Sequence, residues 1–252
     1  MKAADRHDRI EKIVNMEGTV TISSLKKYFP NISDMTLRRD LESMDKENRI
    51  IRVHGGARSI QTSVGMENDY LLRNTLHVES KQEIAQKTLS LLRPNTCIFI
   101  DSGTTTTELC KAIPQEHYLI YTSGLSCAME LKRLEKAEVY LLGGRLNTAS
   151  LSTYGSAALE SISNVHFDLA IVGSTGFEMS FGFTSENAED SKLKREALRR
   201  AERRAIIMDS TKVGRMSTYS FATPQDIDIV VSDSNLDEDT KLHLARYNVT
   251  VI

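Results

Sequence analysis

The stretch Ser33-Asp-Met-Thr-Leu-Arg-Arg-Asp-Leu41 decides the fold of the N-terminal part of the chain. Ser33 belongs to the residue types that cap helix N-termini, so this stretch predicts a helix that runs to about Lys46. Leu37, Leu41 and Met44 recur at helical spacing, and we expect them to face inward. The opposite face and its flanks, near the helix N-terminus, are then formed by Met35, Thr36, Arg38 and Arg39.

Two shorter helices are predicted before this one. Apolar residues repeat at helical spacing over residues 5–17, and Gly18 ends that helix. A second helix covers residues 23–29 and ends at Pro30. Three helices in this order, with a polar face on the third, are typical of a helix-turn-helix whose last helix enters the major groove of DNA.

The next stretch, Arg49-Ile-Ile-Arg-Val-His-Gly-Gly-Ala-Arg58, predicts a β-hairpin. We expect Gly55 and Gly56 to supply the positive φ of a tight turn, and Arg52, His54 and Arg58 to form the polar side of the hairpin. A solvated helix face followed by an ordinary surface turn is the alternative. Both features occur together, however, in a segment of 60 residues with 12 Lys and Arg against nine Asp and Glu. We therefore predict that residues 1–58 form a winged helix-turn-helix that binds double-stranded DNA. The expected contact residues are Ser33, Met35, Thr36, Arg38, Arg39, Arg52, His54, Gly55, Gly56 and Arg58.

Composition excludes several other classes of protein. The chain has 252 residues, 40% hydrophobic and 26% charged, which suits one or two globular domains. No apolar run approaches the roughly 18 residues that cross a bilayer, and the charged N-terminus is unlike a secretory signal. The three cysteines lie far apart and the six histidines are scattered, which favours a reducing cytoplasm. We expect no metal and no cofactor.

Residues 59–79 lack periodicity and are predicted to be a linker. Ser80-Lys-Gln-Glu83 has the pattern of a capping box and predicts the start of a helix that ends before Pro94. Beyond it, short apolar runs alternate with helical patterns, which indicates a doubly wound, mostly parallel α/β domain over residues 80–252. The predicted strands are 97–100, 118–121, 139–142, 169–172, 205–208, 229–231 and 249–252.

Five of these runs are followed by small or hydroxyl-bearing residues. Asp101-Ser-Gly-Thr-Thr-Thr-Thr107 follows the first run and leads into a helix, and Asp209-Ser-Thr-Lys212 follows the fifth. Loops at the carboxyl ends of parallel strands meet at one edge of the sheet, where ligands bind. A loop that enters a helix N-terminus suits an anion such as phosphate. The pattern predicts a small anionic or polyhydroxylated ligand, with Lys212 adding a positive charge.

Thr36-Leu-Arg-Arg-Asp-Leu41 and Arg52-Val-His-Gly-Gly-Ala57 together resemble the signature of the DeoR family of bacterial transcription regulators, and the resemblance extends through most of the chain. Asn48 departs from it, because members usually have Gly before the wing. Asn tolerates the left-handed conformation, so we expect the turn to be kept. The resemblance implies a C-terminal domain similar in fold to ribose-5-phosphate isomerase. It also implies a repressor of a carbohydrate operon that senses a phosphorylated sugar or sugar derivative.

The resemblance also implies the residues of the effector site. Asp101, Ser102, Gly103, Thr104 and Thr105 would form the main phosphate-side loop, and Thr106 continues it. Thr122, Ser123, Gly143, Gly144, Gly173 and Lys212 would surround the same pocket. The basic stretch over residues 192–204 is interpreted as a solvated helix, from which only Lys194 is a pocket candidate, because of its position relative to residues 183–187.

Two other functions remain open at this point. A sugar-phosphate isomerase needs a positioned carboxylate base, and Asp101, Glu186 and Asp209 are available. The loop after residues 169–172 has no carboxylate until Glu178, however, and catalysis would leave the DNA-binding unit unexplained. A DNA-binding protein without a ligand is the second alternative. The favoured hypothesis is a non-enzymatic cytoplasmic regulator that forms a homo-oligomer, dimer or tetramer, to present paired recognition helices.

Overall fold

The computed structural model describes residues 3–53, 55–59 and 70–252. The chain divides into two compact units, Met1–Asn68 and Asp69–Ile252. The division falls inside the segment predicted as a linker, and residues 60–69 of that segment lie outside the described part. Among the described residues, no helix is long and apolar enough to cross a membrane.

The N-terminal unit is a winged helix-turn-helix. Its three helices pack around one apolar cluster that includes Ile10, Leu25, Leu37, Leu41 and Met44, so the predicted inward face is confirmed. The second helix begins at Ile22, one residue before the predicted start, because the Thr21 side chain caps it. The elements are α1 (Ala3–Glu17), β1 (Thr19–Thr21), α2 (Ile22–Tyr28), α3 (Asp34–Lys46), β2 (Ile51–Val53) and β3 (Gly56–Arg58).

Both ends of α3 follow from local sequence. The Ser33 hydroxyl accepts the Thr36 N–H at 3.2 Å, as an N-cap does. After the helix, Asn48 has a φ of 55°, and the Arg49 N–H donates to the Met44 carbonyl at 2.9 Å. This is the bond that closes a Schellman motif, which needs a left-handed residue at this position. The expectation that Asn48 keeps the turn is therefore confirmed.

The wing differs from the sequence prediction in two ways. Only Gly55 has a positive φ, of 77°. Gly56 already lies in β3, where a Cβ atom would overlap the Val20 carbonyl of β1, so this glycine permits close strand packing. The strand register places Arg52 opposite Ala57 and Arg58 opposite Ile51. Directly opposed residues share a face of the sheet. The expectation of one polar face carrying both Arg52 and Arg58 is therefore wrong, because their side chains project from opposite faces.

The C-terminal unit is built on a seven-stranded parallel sheet in the order β15-β14-β12-β9-β4-β5-β6. All seven predicted apolar runs form its strands, with bounds that shift by up to four residues. The strands are β4 (Thr96–Ile100), β5 (Tyr118–Thr122), β6 (Glu138–Leu141), β9 (Phe167–Gly173), β12 (Ala201–Ile207), β14 (Ile229–Val231) and β15 (Thr250–Val251).

Helices cover both faces of this sheet, as a doubly wound fold requires. Successive strand residues alternate between two apolar clusters: Phe99 belongs to one, whereas Ile98 and Ile100 belong to the other. The first cluster includes residues of α8 (Ser156–Ser163), α9 (Ala188–Arg199) and α10 (Glu238–Ala245). The second includes residues of α5 (Val78–Thr88), α6 (Thr104–Ala112) and α7 (Leu125–Leu131).

Smaller elements decorate this core. The hairpin β7 (Arg145–Asn147) and β8 (Ser152–Tyr154) is antiparallel. A second antiparallel sheet has the order β10-β11-β13. Its strands are β10 (Gly176–Glu178), β11 (Gly182–Ser185) and β13 (Tyr219–Ala222).

Three local predictions in this unit are wrong. A short helix, α4 (Tyr70–Asn74), lies inside the predicted linker. Helix α5 begins at Val78, and no side-chain hydrogen bond caps it; the Ser80 hydroxyl lies 3.5 Å from Asp233 instead. The basic stretch 192–204 is not one helix, because α9 ends at Arg199 and β12 begins at Ala201. Pairing of Ala201 with Phe167 shows that strand contacts override the helical pattern there.

Candidate DNA interface and anion site

The N-terminal half of α3 presents an exposed surface. Met35 is 73% exposed, and Arg38 and Arg39 are also exposed. Neither guanidinium group makes a hydrogen bond or ion pair with any other described residue. Thr36 is half-buried, and its hydroxyl lies 2.8 Å from that of Ser33. The side chains available for contact on this surface are therefore one apolar side chain and two cations. Ser33 and Thr36 instead make the hydrogen bonds of the helix N-cap.

The predicted wing residues also divide into exposed and buried ones. Arg52, Gly55 and Arg58 are exposed, whereas Gly56 is buried against β1. His54 lies outside the described residues. The wing therefore offers two arginines on opposite faces, and Gly56 has a packing role.

An ion pair that sequence reasoning missed fixes α3 against α1. The nearly buried Asp40 carboxylate accepts two hydrogen bonds from Arg6, at 2.6 and 2.9 Å, and lies 3.0 Å from His7. Burial alone would raise the pKa of Asp40, but the hydrogen bonds from Arg6 and His7 outweigh it and lower that pKa. Arg49, just after α3, donates to Glu11 at 2.8 Å and to Asp8 at 2.6 Å. These pairs join residues more than 30 positions apart, so no local pattern announces them.

In the C-terminal unit, the predicted phosphate loop leads into α6 with an uncapped N-terminus. Gly103 occupies the N-cap position with a φ of 139° and has no side chain to cap the first N–H groups. The hydroxyls of Thr106 and Thr107 donate to the Gly103 carbonyl at 2.9 and 2.7 Å. Within the described residues, those of Ser102, Thr104 and Thr105 make no hydrogen bond. Three hydroxyls and the first backbone N–H groups of a nine-residue helix are therefore available to bind an anion.

Beside this loop lies a buried group of opposite charges. Asp101 is fully buried; its Oδ2 contacts Nζ of Lys194 and accepts the Gly173 N–H at 2.9 Å. The same Nζ lies 3.3 Å from Asp190, which sequence reasoning missed. Burial by itself lowers the pKa of Lys194, but the two carboxylates outweigh it and raise that pKa. The lysine is therefore a cation, and the structure brings it together with Asp101 and Gly173 as predicted residues of one site.

Two polar groups of this site have no hydrogen-bond partner among the described residues. The Oδ1 atom of Asp101 and the hydroxyl of Ser123 are buried, yet neither makes a hydrogen bond within residues 3–53, 55–59 and 70–252. Buried polar atoms are normally satisfied, so each of these atoms needs a hydrogen-bond partner that the described residues do not supply.

Other predicted residues have structural roles. The Thr122 hydroxyl accepts the Gly124 N–H at 3.1 Å. Gly143 and Gly144 are exposed; a Cβ atom at Gly144, whose φ is 131°, would overlap the Tyr154 carbonyl. The two glycines therefore shape the turn before the β7–β8 hairpin.

Lys212 lies in the loop after β12. Its side chain is half-buried, and its ammonium group makes no hydrogen bond to the described residues. Burial lowers its pKa, although the charge of the neighbouring Asp209 acts in the opposite direction. Asp209 itself holds the loop by accepting the Thr211 N–H at 3.2 Å. An ammonium group that is partly withdrawn from water and has no hydrogen-bond partner among the described residues would be stabilised by an anionic ligand. Among the described residues, no group of three His, Cys, Asp or Glu side chains could hold a metal ion.

Comparisons with known proteins match both units. A family profile described as "DeoR-like helix-turn-helix domain" matches residues 6–63, and one described as "DeoR C terminal sensor domain" matches residues 76–234. The chain is 30% identical over 253 residues to the HTH-type transcriptional regulator GlpR of Haloferax volcanii, which covers 100% of this chain and 98% of that protein. It is 29% identical over 237 residues to the lactose phosphotransferase system repressor of Staphylococcus epidermidis, covering 93% of this chain and 94% of that one.

Solved structures are more distant. Ribose 5-phosphate isomerase A from Neisseria gonorrhoeae aligns with a TM-score of 0.39 and 15% identity, covering 53% of this chain and 52% of that chain. The translation initiation factor eIF-2B of Pyrococcus horikoshii aligns with a TM-score of 0.47 and 12% identity, covering 84% and 82%.

Proposed function

The chain belongs to the DeoR family of transcription regulators, and on that premise we propose that it represses a sugar-related operon under the control of a phosphorylated sugar. Residues 1–58 bind operator DNA, the C-terminal unit from Asp69 to Ile252 binds the effector, and the residues between them join the two in sequence. The names of relatives support the sugar-related role: one is a lactose phosphotransferase system repressor.

The DNA half of the proposal rests on the exposed start of α3. Met35, Arg38 and Arg39 are free to meet base edges and phosphates in the major groove. Arg52 and Arg58 of the wing contact backbone phosphates, which position a protein on DNA without reading its sequence. One recognition helix buries limited surface, so a homo-oligomer that presents two of them to successive half-sites is part of the proposal.

The observation that carries the effector half is the uncapped N-terminus of α6 at Gly103. Its free N–H groups and the hydroxyls of Ser102, Thr104 and Thr105 donate to phosphate oxygens, and the helix dipole favours the negative charge. Lys212 adds a cation from the neighbouring loop. Oδ1 of Asp101 and the Ser123 hydroxyl, which have no partner among the described residues, bond to sugar hydroxyls in this proposal, and Lys194 contacts Asp101.

A mobility-shift titration of the full chain tests this function. The DNA is the region upstream of the chain's own operon, and the ligands are pentose and hexose phosphates, each paired with the same sugar without phosphate. We expect one phosphorylated sugar to change DNA affinity by about 5- to 150-fold, the usual range of coupling between two sites. Equal effects of a sugar and its phosphate would contradict the phosphate site.

Two further measurements separate the alternatives. A ligand that binds only the folded chain raises its melting temperature by mass action. If no sugar phosphate does so, the chain is a DNA-binding protein without an effector. Turnover of phosphopentoses or phosphohexoses by the pure protein would instead indicate an isomerase.

A further inference from the structure

Strand β6 lies at one end of the seven-stranded sheet, and among the described residues it pairs with a strand on one side only. That strand is β5, and the parallel register runs from the pair Leu119–Glu138 to the pair Thr122–Leu141. The strand at the other end of the sheet, β15, has two residues, whereas β6 has four. An edge strand presents a row of unpaired N–H and C=O groups that can pair with another chain.

The hydrogen bonds to β5 show which backbone groups of β6 are available for such pairing. The Leu142 N–H, just after β6, donates to the Thr122 carbonyl of β5 at 2.9 Å. Successive residues of a paired strand direct their backbone groups to alternate sides within the plane of the sheet. The N–H and C=O groups of Val139 and Leu141 therefore point away from β5.

The sequence of this edge lacks the features that normally prevent pairing. Residues 138–144 read Glu-Val-Tyr-Leu-Leu-Gly-Gly, with one charged residue and neither Lys nor Pro. Proteins protect open edges with Lys, Pro, bulges or very short strands. A segment of high β-propensity and low charge at an open edge is a site of uncontrolled association. We therefore expect the edge formed by residues 138–144 to be covered when the protein functions.

Large apolar side chains are exposed along the same edge. Tyr140 is 46% exposed and Leu141 is 41% exposed, and the two lie on opposite faces of the sheet because they are adjacent in a strand. Leu146, in β7 just after the edge, is 44% exposed. The apolar surface thus extends over both faces, and a paired strand, whose own side chains alternate in the same way, would cover both.

The charges at the two ends of this edge are opposite in sign. Glu138 begins it, Arg145 follows its last glycine, and both are exposed. Neither makes an ion pair with another described residue. When two identical strands pair in antiparallel order, the acidic end of each lies near the basic end of the other. A second copy of this chain therefore supplies the complementary charges together with an equally apolar edge.

We propose that β6 is an interface between two copies of this chain, which pair edge to edge as antiparallel strands around a two-fold axis at Leu141. The proposal rests on the proposed function, which needs an oligomer to present two recognition helices, and it assigns the surface that joins the copies. A two-fold axis through the C-terminal units also relates the two N-terminal units by the symmetry of a palindromic operator.

The position of the axis follows from the backbone directions. Leu141 is the middle residue of the edge 138–144 and directs its N–H and C=O groups outward, so it forms a hydrogen-bonded pair with the partner's Leu141. Tyr140 then faces the partner's Leu142. Glu138 faces the residue that precedes the partner's Arg145, which brings the opposite charges together at both ends of the interface.

The test measures the mass of the full chain in solution by sedimentation velocity. Leu141→Lys places an ammonium group at the axis, where it meets the same group of the second copy. Leu242→Lys is the matched control, because Leu242 is an exposed leucine on α10, away from β6. Circular dichroism checks that both variants are folded.

We expect the wild type and Leu242→Lys to be oligomers of the same mass. Leu141→Lys should have half that mass, so that a dimer becomes a monomer or a tetramer becomes a dimer. The physical reason is that like charges placed directly opposite each other destabilise paired strands.

A second measurement tests the axis without a destabilising charge, and it decides the matter if Leu141→Lys does not fold. The Cα atoms of a hydrogen-bonded antiparallel pair lie about 5.5 Å apart, within the range that a disulfide spans. Under mild oxidation Leu141→Cys should therefore form a disulfide between two copies, which mass spectrometry of the digested protein identifies. Leu242→Cys and the wild type, with its own three cysteines, should form none.

The outcomes separate this inference from the proposed function. If the wild type is an oligomer, but Leu141→Lys keeps its mass and Leu141→Cys forms no cross-link, the homo-oligomer stands and the β6 interface is refuted. Equal cross-linking of Leu242→Cys and Leu141→Cys refutes the assigned axis. A wild type with the mass of one chain refutes both the interface and the homo-oligomer, and it leaves the edge to an extended segment of a different protein.

Discussion

The ammonium group of Lys194 contacts the carboxylate of Asp101, although 93 positions separate the two residues in the sequence. Both side chains are buried, and the contact joins the end of β4 to α9.

The first prediction follows from this buried ion pair. Lys194→Met should destabilise the C-terminal unit by about 3–5 kcal/mol, because a buried carboxylate loses its partner. Urea unfolding measures this, and Lys192→Met on the exposed side of the same helix is the control.

The loss of stability caused by Lys194→Met should also depend on pH. Burial already raises the pKa of Asp101, and the substitution removes the cation that opposes this. A folded-state pKa above the unfolded value means that stability falls as pH rises through that interval. The variant should therefore be less stable at pH 7 than at pH 5, relative to wild type. A double variant Asp101→Asn/Lys194→Met that is no more stable than Lys194→Met would contradict this explanation.

The second prediction concerns the ion pair of Arg6 and Asp40, which joins α1 to α3. Asp40→Asn should destabilise the N-terminal unit by about 2–3 kcal/mol, since it weakens the hydrogen bonds from Arg6 and His7. The folded pKa of Asp40 is lowered, so its contribution is present above its unfolded pKa near 4 and is lost as pH falls below it. Acid titration followed by circular dichroism checks this. Glu42→Gln, an exposed pair with Lys46 on the same helix, should leave the transition unchanged.

The third prediction concerns the DNA interface. Arg39→Ala should weaken operator binding by about 1–3 kcal/mol if the side chain contacts a base edge. The folded state should be unaffected, because Arg39 is exposed and bonds to no other described side chain. A mobility shift at fixed salt measures the affinity, with Arg199→Ala on α9 as the control. An operator affinity equal to that of the wild type would show that Arg39 does not contribute to DNA binding.

The fourth prediction separates neighbouring threonines of the anion site. The Thr105 hydroxyl is free among the described residues, whereas that of Thr106 donates to the Gly103 carbonyl. Thr105→Val should lower the affinity for the effector about 10- to 100-fold with no loss of stability, since it removes one donor to a charged group. Thr106→Val should lower the melting temperature. Calorimetry and thermal unfolding of both variants check this, and if Thr105→Val and Lys212→Ala bind the effector like wild type, the phosphate site is elsewhere.

The sequence predicted what local patterns determine. Parallel strands are short continuous apolar runs, so all seven were found, including the edge strands β6 and β15, which are not buried. The Ser33 cap and the Asn48 turn follow from single residues. The order of the strands and the meeting of distant charges depend on tertiary packing. Arg6 with Asp40, and Lys194 with Asp190, left no periodic signal. The boundary at Arg200 was missed because strand pairing overrides a strong helical pattern.

The alternation along β4 has a consequence for how the C-terminal unit loses its structure. Ile98 and Phe99 are adjacent in the chain but belong to the apolar clusters on opposite faces of the sheet. Neither face can open without moving the strand that anchors the other. The two layers therefore melt as a single cooperative block, and the central amides of β4 and β9 should exchange hydrogen only when the whole unit unfolds.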